Sequence, residues 1–282
     1  MNPSTSEPVR PGLALVLGAG GTKGWAHLGV IKAFHQAGVS VDLIVGASAG
    51  ALIGSLYAAR QDAAEAERIA MSFTPADFLE WFLKDLRLSP RAGRMARRLW
   101  QTSGRLDFRE LAVPFAAVAL DLVSGRPLVL RDGNVGRAVE ASIRPPLIRS
   151  PVQLDGRALV DGGLQNAVPV SAARELGAAV VVSVNTGELF VLPRWLRPLS
   201  ARVSSACRGQ SPKGADVRGQ VAFLAALLAR GSRTRERADI EIRPDMRGIS
   251  SMWPWHIRAS MRRGETAARR ALPSIQRLLA AA

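Results

Sequence analysis

Continuous apolar runs alternate with stretches of helical periodicity along the first part of the chain. Leu13–Leu17 is an apolar run that ends in glycines, which is typical of a strand buried on both faces. Over residues 22–36 the apolar positions recur at helical spacing, and Gly38 follows, so a helix is predicted there. A second apolar run at residues 41–46 precedes another helical stretch after Ser48. This alternation predicts a parallel sheet with crossover helices.

Later segments continue the same pattern. The sequence predicts strands at residues 115–122, 126–130, 158–161, 178–185 and 239–244, and helices at residues 134–142, 168–177, 217–230 and 257–281. Because buried strands need cover on both faces, we predict a three-layer α/β fold with a mostly parallel central sheet and helices on both faces. We divide the chain into a flexible N-terminus at residues 1–12, a core at residues 13–190, and a basic helical extension at residues 191–282 that packs on the same domain.

The stretch VGASAG, residues 45–50, places one hydroxyl among the smallest side chains. A strand, then G-x-S-x-G, then a helix is typical of a nucleophile elbow, in which the serine takes a strained backbone conformation above the strand ends. Gly46 and Gly50 relieve crowding on either side of Ser48, and the start of the next helix favours negative charge on its oxygen. We predict that Ser48 is a nucleophile at the carboxyl edge of the sheet. An ordinary small-residue turn is the alternative.

A glycine-rich stretch, GAGGTKG at residues 18–24, lies between the first strand and the first helix. The backbone N–H groups of Gly20 and Gly21 can approach a ligand closely, as an oxyanion hole requires. Neighbouring parallel strands share one carboxyl edge, so we expect this loop beside Ser48. A phosphate-binding loop would need glycine directly before Lys23, and the spacing of a dinucleotide-binding loop is absent.

Three histidines are candidates for the base that activates Ser48. His256 has the late position found in many hydrolase triads, but it lies in the tryptophan-flanked stretch MWPWHIR, which favours packing or an interface. We predict that His27 is a local hydrogen-bonding or core residue and that His35 ends the first helix, where a protonatable side chain suits the dipole. A triad that uses His256 is the alternative.

Asp161 is the preferred base because it ends a predicted strand in the sequence VDGG. Gly162 and Gly163 give the backbone room to turn away while the carboxylate faces the edge of the sheet. A carboxylate is a weak base towards serine, so it would need a water-poor pocket and an oxyanion held by backbone donors. The alternative is a β-turn aspartate, an interpretation that also suits Asp121, Asp132 and Asp155.

The ordered motifs GAGGTKG, GASAG and DGG, the last followed by LQNAVPV, resemble those of the patatin-like phospholipase family over most of residues 13–185. The tail is similar to the small bacterial branch of that family. The resemblance implies a patatin-like catalytic core and hydrolysis of lipid acyl esters through an acyl-enzyme intermediate, without metal or cofactor. It assigns Ser48 and Asp161 as a dyad, Gly20, Gly21 and Lys23 to the oxyanion hole, and Gly24, Gly46, Gly50, Gly162 and Gly163 as supporting positions. Ala19 stands where many members have glycine, but its methyl group removes no N–H, so we expect the hole to survive.

The charge of the chain adds an expectation about partners. The formal net charge of +15 favours polyanions such as anionic lipid headgroups or nucleic acid. An arginine-rich stretch within residues 84–105 is interleaved with apolar residues, and it predicts peripheral contact with an anionic membrane. The arginines proposed for this contact are Arg91, Arg94, Arg97 and Arg98. A solvated arginine-rich face is the alternative.

Two further expectations concern function class and location. No nucleic-acid-binding motif accompanies the charge, so we expect no specific nucleic acid; a non-catalytic basic regulatory or binding protein stays the alternative to an enzyme. Cys207 is the single cysteine, which excludes an intrachain disulfide. The sequence lacks the apolar run of about 18 residues that a spanning helix needs. We expect a cytoplasmic protein with peripheral contact at the inner membrane.

Overall fold

The computed structural model describes residues 12–83, 88, 93–146, 149–187, 236–252 and 254–281. Several of the sequence-based expectations lie wholly or partly outside these residues. They concern nearly all of the predicted N-terminal segment, part of the arginine-rich stretch with Arg91, and residues 191–235 of the predicted extension, which include Cys207 and the predicted helix at residues 217–230.

The described elements form one eight-stranded sheet and the helices that cover it. The strands are β1 (Leu13–Leu17), β2 (Leu43–Ala47), β3 (Phe115–Asp121), β4 (Arg126–Leu130), β5 (Val152–Leu154), β6 (Arg157–Asp161), β7 (Val180–Val184) and β8 (Ile240–Ile242). The helices are α1 (Ala26–Gln36), α2 (Ala49–Ala58), α3 (Ala63–Met71), α4 (Pro75–Leu83), α5 (Arg94–Leu99), α6 (Val135–Ser142), α7 (Val170–Glu175) and α8 (Ile257–Ala281).

The parallel part of the sheet is built around β1. This strand pairs in parallel with β2 on one edge and with β7 on the other. β2 continues in parallel to β3, and β7 continues in parallel to β8. The mostly parallel sheet predicted from the sequence is confirmed, and the strand predicted at residues 239–244 lies at one edge of it as β8.

The remaining part of the sheet is antiparallel, and it brings two strand ends together. β3 pairs with β2 over Phe115 to Val118, with β6 over Ala119 to Asp121, and with β4 over Ala117 to Asp121. A strand forms hydrogen bonds along two edges. β4 pairs with the same residues of β3 as β2 does at Ala117 and Val118, and with the same residues as β6 does from Ala119 to Asp121, so β4 occupies the opposite edge from both. β2 and β6 therefore share the second edge of β3, and their carboxyl ends meet there.

Apolar residues cover both faces of the sheet. On one face, Leu15, Leu17 and Ile44 pack with residues from α1, α2 and other helices in the largest core. On the other face, a smaller core joins the alternate strand residues Val16 and Val45 to α7 and the segments that flank it. Successive residues of β1 thus point into opposite cores, as the period of a strand requires. The predicted three-layer arrangement is confirmed.

The last part of the described chain packs against the first helix. α8 lies across α1, and a Cβ atom on Gly29 would overlap the carbonyl oxygen of Met261, while one on Gly264 would overlap that of Ala26. The two backbones therefore approach as closely as glycine allows. Among the described residues, no helix is long and apolar enough to span a bilayer.

Candidate active site

Ser48 occupies a sharp turn between β2 and α2. Its φ of 52° and ψ of −120° lie outside the regions that non-glycine residues prefer. A Cβ atom on Gly46 would lie 2.5 Å from the Cα of Ala51, and one on Gly50 would overlap the carbonyl oxygen of Leu17. The small residues are thus needed because α2 folds back directly over the ends of β1 and β2.

The side chain of Ser48 meets Asp161 at this turn. The Ser48 hydroxyl donates to Asp161 Oδ2 at 2.7 Å, and both residues are buried, with 5% and 3% of their surface exposed. Asp161 Oδ1 accepts a hydrogen bond from the Gly163 N–H at 2.8 Å. Both carboxylate oxygens of Asp161 therefore accept a hydrogen bond, Oδ1 from the Gly163 N–H and Oδ2 from the Ser48 hydroxyl.

Burial alters the acidity of Asp161. It raises the pKa of the carboxyl group to about 6, although the hydrogen bonds from Ser48 and Gly163 favour the charged form and limit the rise. At neutral pH the carboxylate is ionised and accepts the proton of the Ser48 hydroxyl in a hydrogen bond. It is also a stronger base than an exposed aspartate.

The glycine-rich stretch forms a compact turn that follows β1. Residues Gly21–Trp25 are a 3-10 helix, so α1 begins later than predicted, at Ala26. Ala19 is fixed on both sides: its N–H donates to the Ala167 carbonyl at 2.7 Å, and its carbonyl accepts from the Thr186 hydroxyl at 3.1 Å.

The N–H groups of Gly20 and Gly21 have no acceptor among the described residues. The turn lies directly beside Ser48, because a Cβ on Gly24 would overlap the Cβ of Ala49 at the start of α2. Lys23 is half-buried in the turn. Two unsatisfied backbone donors thus lie in the loop that contacts the serine turn.

Ala19, Gly163 and Ser48 come from the three motifs and meet in space. A Cβ on Gly163 would lie 2.5 Å from the Ala19 Cβ and 3.9 Å from the Ser48 Cβ. Gly162 is equally tight, since its Cβ would overlap the Val118 carbonyl oxygen. The glycines after Asp161 therefore make room for the methyl group of Ala19 and for the end of β6 against β3.

The described hydrogen bonds of the Ser48 and Asp161 side chains involve none of the three histidines. His27 is fully buried, and its Nε2 lies 2.8 Å from the Gly18 carbonyl oxygen, which requires the Nε2–H tautomer. Burial lowers the pKa of His27 to about 4, so the ring is neutral at pH 7. The prediction of a local hydrogen-bonding histidine is confirmed. His35 and His256 are exposed, and the described hydrogen bonds of the Asp161 carboxylate go to Ser48 and Gly163.

The other aspartates considered as bases lie in turns. Asp121 accepts from the Val123 N–H and the Ser124 hydroxyl and pairs with Arg157 at 3.0 Å. Asp155, with a positive φ of 48°, lies in the turn between β5 and β6, and Asp132 is exposed. The β-turn interpretation is confirmed for Asp121, at the start of the β3–β4 turn, and for Asp155; for Asp132 it stays a prediction. Among the described residues, no group of three His, Cys, Asp or Glu side chains could hold a metal ion.

Two residues that hold the site were not identified from the sequence. The Ser142 hydroxyl accepts a hydrogen bond from the Ser48 N–H at 2.9 Å and donates to the Val118 carbonyl at 2.7 Å. Thr186 supports the carbonyl of Ala19. For Ser142 the available signal was a hydroxyl at the end of a predicted helix; for Thr186 it was a hydroxyl just after a buried strand.

The predicted basic surface is only partly available. Arg94 forms a short ion pair with Asp77, and this contact holds the pKa of Asp77 well below its usual range. Arg97 and Arg98 are exposed on α5. The charge of Arg94 is therefore partly compensated within the protein.

Exposed apolar side chains lie on the segment that contacts the glycine-rich turn. The Thr22 N–H donates to the Ser251 carbonyl at 2.9 Å, and its hydroxyl donates to the Ser250 carbonyl at 2.8 Å. Met252 and Trp255 follow with 63% and 64% of their surface exposed. An apolar surface thus adjoins the loop beside Ser48.

A family model described as "Patatin-like phospholipase" matches residues 15–174, more than half of the chain. The chain belongs to the patatin-like phospholipase family. The family resemblance noted from the motifs is confirmed.

Curated relatives match different shares of the chain. The "Uncharacterized NTE family protein Rv1063c" of Mycobacterium tuberculosis is 34% identical over 180 residues, which cover 62% of this chain and 49% of the relative. Human "Patatin-like phospholipase domain-containing protein 6" is 33% identical over 188 residues, which cover 62% of this chain and 13% of the relative. The chain thus spans half or less of the length of these relatives.

A solved structure shares the fold. VipD from Legionella pneumophila superposes with a TM-score of 0.55 over 95% of this chain and 68% of that chain, at 14% sequence identity. At this identity the likeness concerns the architecture alone.

Proposed function

We propose that this chain hydrolyses acyl esters of lipids through a dyad of Ser48 and Asp161. The observation that carries the proposal is the 2.7 Å hydrogen bond from the Ser48 hydroxyl to a buried carboxylate, at a backbone turn that presents the serine oxygen. Membership of the patatin-like phospholipase family supports the choice of lipid esters as the substrate class.

In the first half-reaction, Ser48 Oγ attacks the carbonyl carbon of the ester while its proton moves to Asp161 Oδ2. The carbonyl oxygen becomes an oxyanion, which the N–H groups of Gly20 and Gly21 stabilise, as does the positive end of the α2 dipole. Collapse of this intermediate breaks the ester C–O bond. The departing alcohol takes the proton from Asp161, and the acyl group stays on Ser48.

In the second half-reaction, water replaces the alcohol. Asp161 accepts a proton from the water as it attacks the acyl-enzyme, and the oxyanion forms again at the same donors. When the second intermediate collapses, the proton returns to Ser48 and the fatty acid leaves. A carboxylate suffices as the base because burial raises its pKa to about 6, closer to working pH than that of an exposed aspartate.

Hydrolysis of p-nitrophenyl butyrate and labelling by a fluorophosphonate probe test this proposal. We expect Ser48→Ala to abolish both, and Asp161→Asn to lower kcat by about a thousandfold or more. Asp155→Asn changes an aspartate in the β5–β6 turn and should leave both unchanged. Wild-type protein that neither turns over the ester nor labels at Ser48 would instead support a non-catalytic binding protein.

The same assay separates a dyad from a triad. His256→Ala should retain the wild-type rate, because the exposed His256 takes no part in the proposed proton transfers. Retained activity in Asp161→Asn together with loss in His256→Ala would establish the triad and overturn the dyad.

We also propose that the protein meets an anionic bilayer with the segment beside the glycine-rich turn. Exposed Met252 and Trp255 supply apolar and interfacial contacts, and the exposed Arg97 and Arg98 would add attraction to anionic headgroups. The prediction that membrane contact rests on arginines of residues 91–98 is thereby extended to apolar residues at the site.

Vesicle sedimentation tests the membrane proposal. We expect binding to vesicles of phosphatidylglycerol and phosphatidylcholine that weakens with salt and with Trp255→Ala. Val123→Ala alters an exposed apolar residue in the β3–β4 turn and serves as the matched control. Equal binding to vesicles of phosphatidylcholine alone would contradict the electrostatic part, and unchanged binding of Trp255→Ala would contradict the apolar part.

A further inference from the structure

We propose that Ser142 is a positioning residue for the nucleophile and that its hydroxyl sets the separation between the Ser48 turn and β3. The inference rests on the proposed nucleophilic role of Ser48. It concerns a residue that neither accepts a proton nor contacts the acyl group in the mechanism above.

The ladder between β2 and β3 shows what the hydroxyl does. The Ile44 N–H donates to the Pro114 carbonyl at 2.9 Å. In a parallel ladder this donation recurs every second residue on both strands, so the register leads from Ile44 to Ser48 on β2 and from Pro114 to Val118 on β3. The Val118 carbonyl is therefore the acceptor that the register offers to the Ser48 N–H.

The Ser142 hydroxyl is inserted at this point of the ladder. The Ser48 N–H donates to Ser142 Oγ at 2.9 Å, and Ser142 Oγ donates its own proton to the Val118 carbonyl at 2.7 Å. A hydroxyl has one proton to donate and lone pairs to accept, so both strand groups are satisfied with an oxygen between them. Ser48 can thus leave the ladder for its strained conformation without a buried N–H being left unpaired.

The same segment of chain also holds Asp161. The Arg144 carbonyl, two residues after Ser142, accepts the Asp161 N–H at 2.8 Å. Residues 142–144 therefore bind the backbone N–H groups of both members of the proposed dyad. The distance between Ser48 Oγ and the carboxylate depends on this segment as well as on the sheet.

Loss of the hydroxyl has two physical outcomes, and both disturb the dyad. Ser142 is fully buried, so removal leaves the Ser48 N–H and the Val118 carbonyl unpaired, or draws them together into a direct bond. A direct bond would move the Ser48 backbone towards β3 and disturb the geometry of its hydrogen bond to Asp161. A misplacement of about 1 Å can reduce a rate by about a hundredfold.

The inserted hydroxyl also restricts which groups can bind the oxyanion. Because the Ser48 N–H is engaged by Ser142, it is not free to donate to the developing charge. The engaged Ser48 N–H is compatible with the proposed oxyanion hole, whose donors are the N–H groups of Gly20 and Gly21.

Ser142→Ala tests the proposal, with Ser55→Ala as the matched control. Ser55 is also fully buried, and its hydroxyl donates to the Leu52 carbonyl within α2, so its removal reproduces the loss of a buried hydroxyl away from the Ser48 N–H. We expect Ser142→Ala to lower kcat and the rate of fluorophosphonate labelling by about ten- to a hundredfold, with KM unchanged. Ser55→Ala should retain both rates.

A pH profile adds a readout that a purely structural role would not move. The Ser48 hydrogen bond lowers the pKa of Asp161, so a bond weakened by misplacement of Ser48 in Ser142→Ala should shift the midpoint of kcat/KM upwards. Ser142→Cys, which keeps a weaker acceptor and donor at this position, should give an intermediate rate and provides the measurement if Ser142→Ala does not fold.

The outcomes distinguish this inference from the proposed function. Wild-type hydrolysis together with wild-type rates in a folded Ser142→Ala, or in Ser142→Cys if that variant alone folds, would overturn the positioning role and leave the dyad intact. An equal decrease in Ser55→Ala would overturn it too. Failure of the wild-type protein to label at Ser48 would overturn both proposals.

Discussion

Ser48 and Asp161 reach the same edge of the sheet, but the chain positions them in different ways. Ser48 stands in the parallel part, where a local strand–turn–helix sequence with small neighbours fixes its backbone. Asp161 ends β6, which reaches β3 by antiparallel pairing, and its N–H is held by the distant Arg144 carbonyl. The proposed nucleophile is therefore positioned mainly by close packing of small residues around its turn, with Ser142 on its N–H. The proposed base is positioned by strand pairing and burial.

Among these predictions, Gly50→Ala should have the largest effect, because it disrupts the turn that holds Ser48. The added methyl group would overlap the Leu17 carbonyl oxygen, and because a backbone group cannot move aside cheaply, we expect a loss of about 3 kcal/mol or more in the free energy of unfolding, with loss of labelling at Ser48. Denaturant unfolding measures the effect.

The control for this prediction is Gly133→Ala. Gly133 has a positive φ of 77° but open space around its Cα, so only backbone strain of about 1 kcal/mol is expected. Equal losses in the two variants would show that crowding at the elbow is not the cause.

On the base side, Asp161→Asn should change the dependence of stability on pH. The carboxyl pKa is raised by burial from 3.8 to about 6, so between these values the folded state holds more protons than the unfolded state. Raising the pH through this window therefore lowers the free energy of unfolding of the wild-type protein by up to about 3 kcal/mol. The asparagine variant does not titrate at this position and should not show this decrease. Denaturant unfolding at pH 4 and pH 8 should show the difference growing in favour of the variant.

A difference between the two proteins that is the same at pH 4 and pH 8 would contradict the raised pKa. Asp155→Asn, in an exposed turn, should show no such growth.

The pH dependence of kcat/KM should sharpen the same comparison. Only ionised Asp161 can accept the Ser48 proton, and its pKa is about 6, so the rate should rise with a midpoint near that pH. Activity at pH 5 should be about a tenth of that at pH 8. A midpoint that vanishes in His256→Ala would assign the titration to the histidine instead.

Thr186→Val should produce the smallest effect. The substitution keeps the shape of the side chain but removes its hydrogen bond to the Ala19 carbonyl, leaving a buried acceptor unpaired at a cost of about 1–2 kcal/mol. We expect kcat to fall severalfold as the glycine-rich turn loses support. Thr102→Val, which removes a bond to the Arg98 carbonyl one helical turn away, should leave kcat unchanged.

The parts of the molecule that could be predicted from the sequence depend on local physics. β1, the Ser48 turn and α8 are each encoded by a continuous run of residues with a strong period or a steric requirement. That the central strands run parallel followed from these runs, because strands connected by helices form a parallel sheet.

The unpredicted parts depend on contacts between distant residues. The residues of β6 do not indicate that this strand pairs with β3 just beyond the end of β2. That position is set by pairing with Ala119 to Asp121 of β3. Ser142, at the end of α6, donates to the Val118 carbonyl of β3, a contact between distant parts of the chain. α3, α4 and α5 lie between the predicted core elements and were not among the predicted helices.

The family match ends at residue 174, yet the folded unit does not. Beyond that limit, β7 and β8 complete the sheet, Ser250 and Ser251 hold Thr22 in the glycine-rich turn, and α8 covers the backbone of α1 at Gly29. A shortened protein that ended at residue 174 would keep the residues of all three motifs. It would lose the segment whose carbonyl groups bind Thr22 and so support the glycine-rich turn. The limits of the family match in this chain therefore do not coincide with the limits of the folded domain.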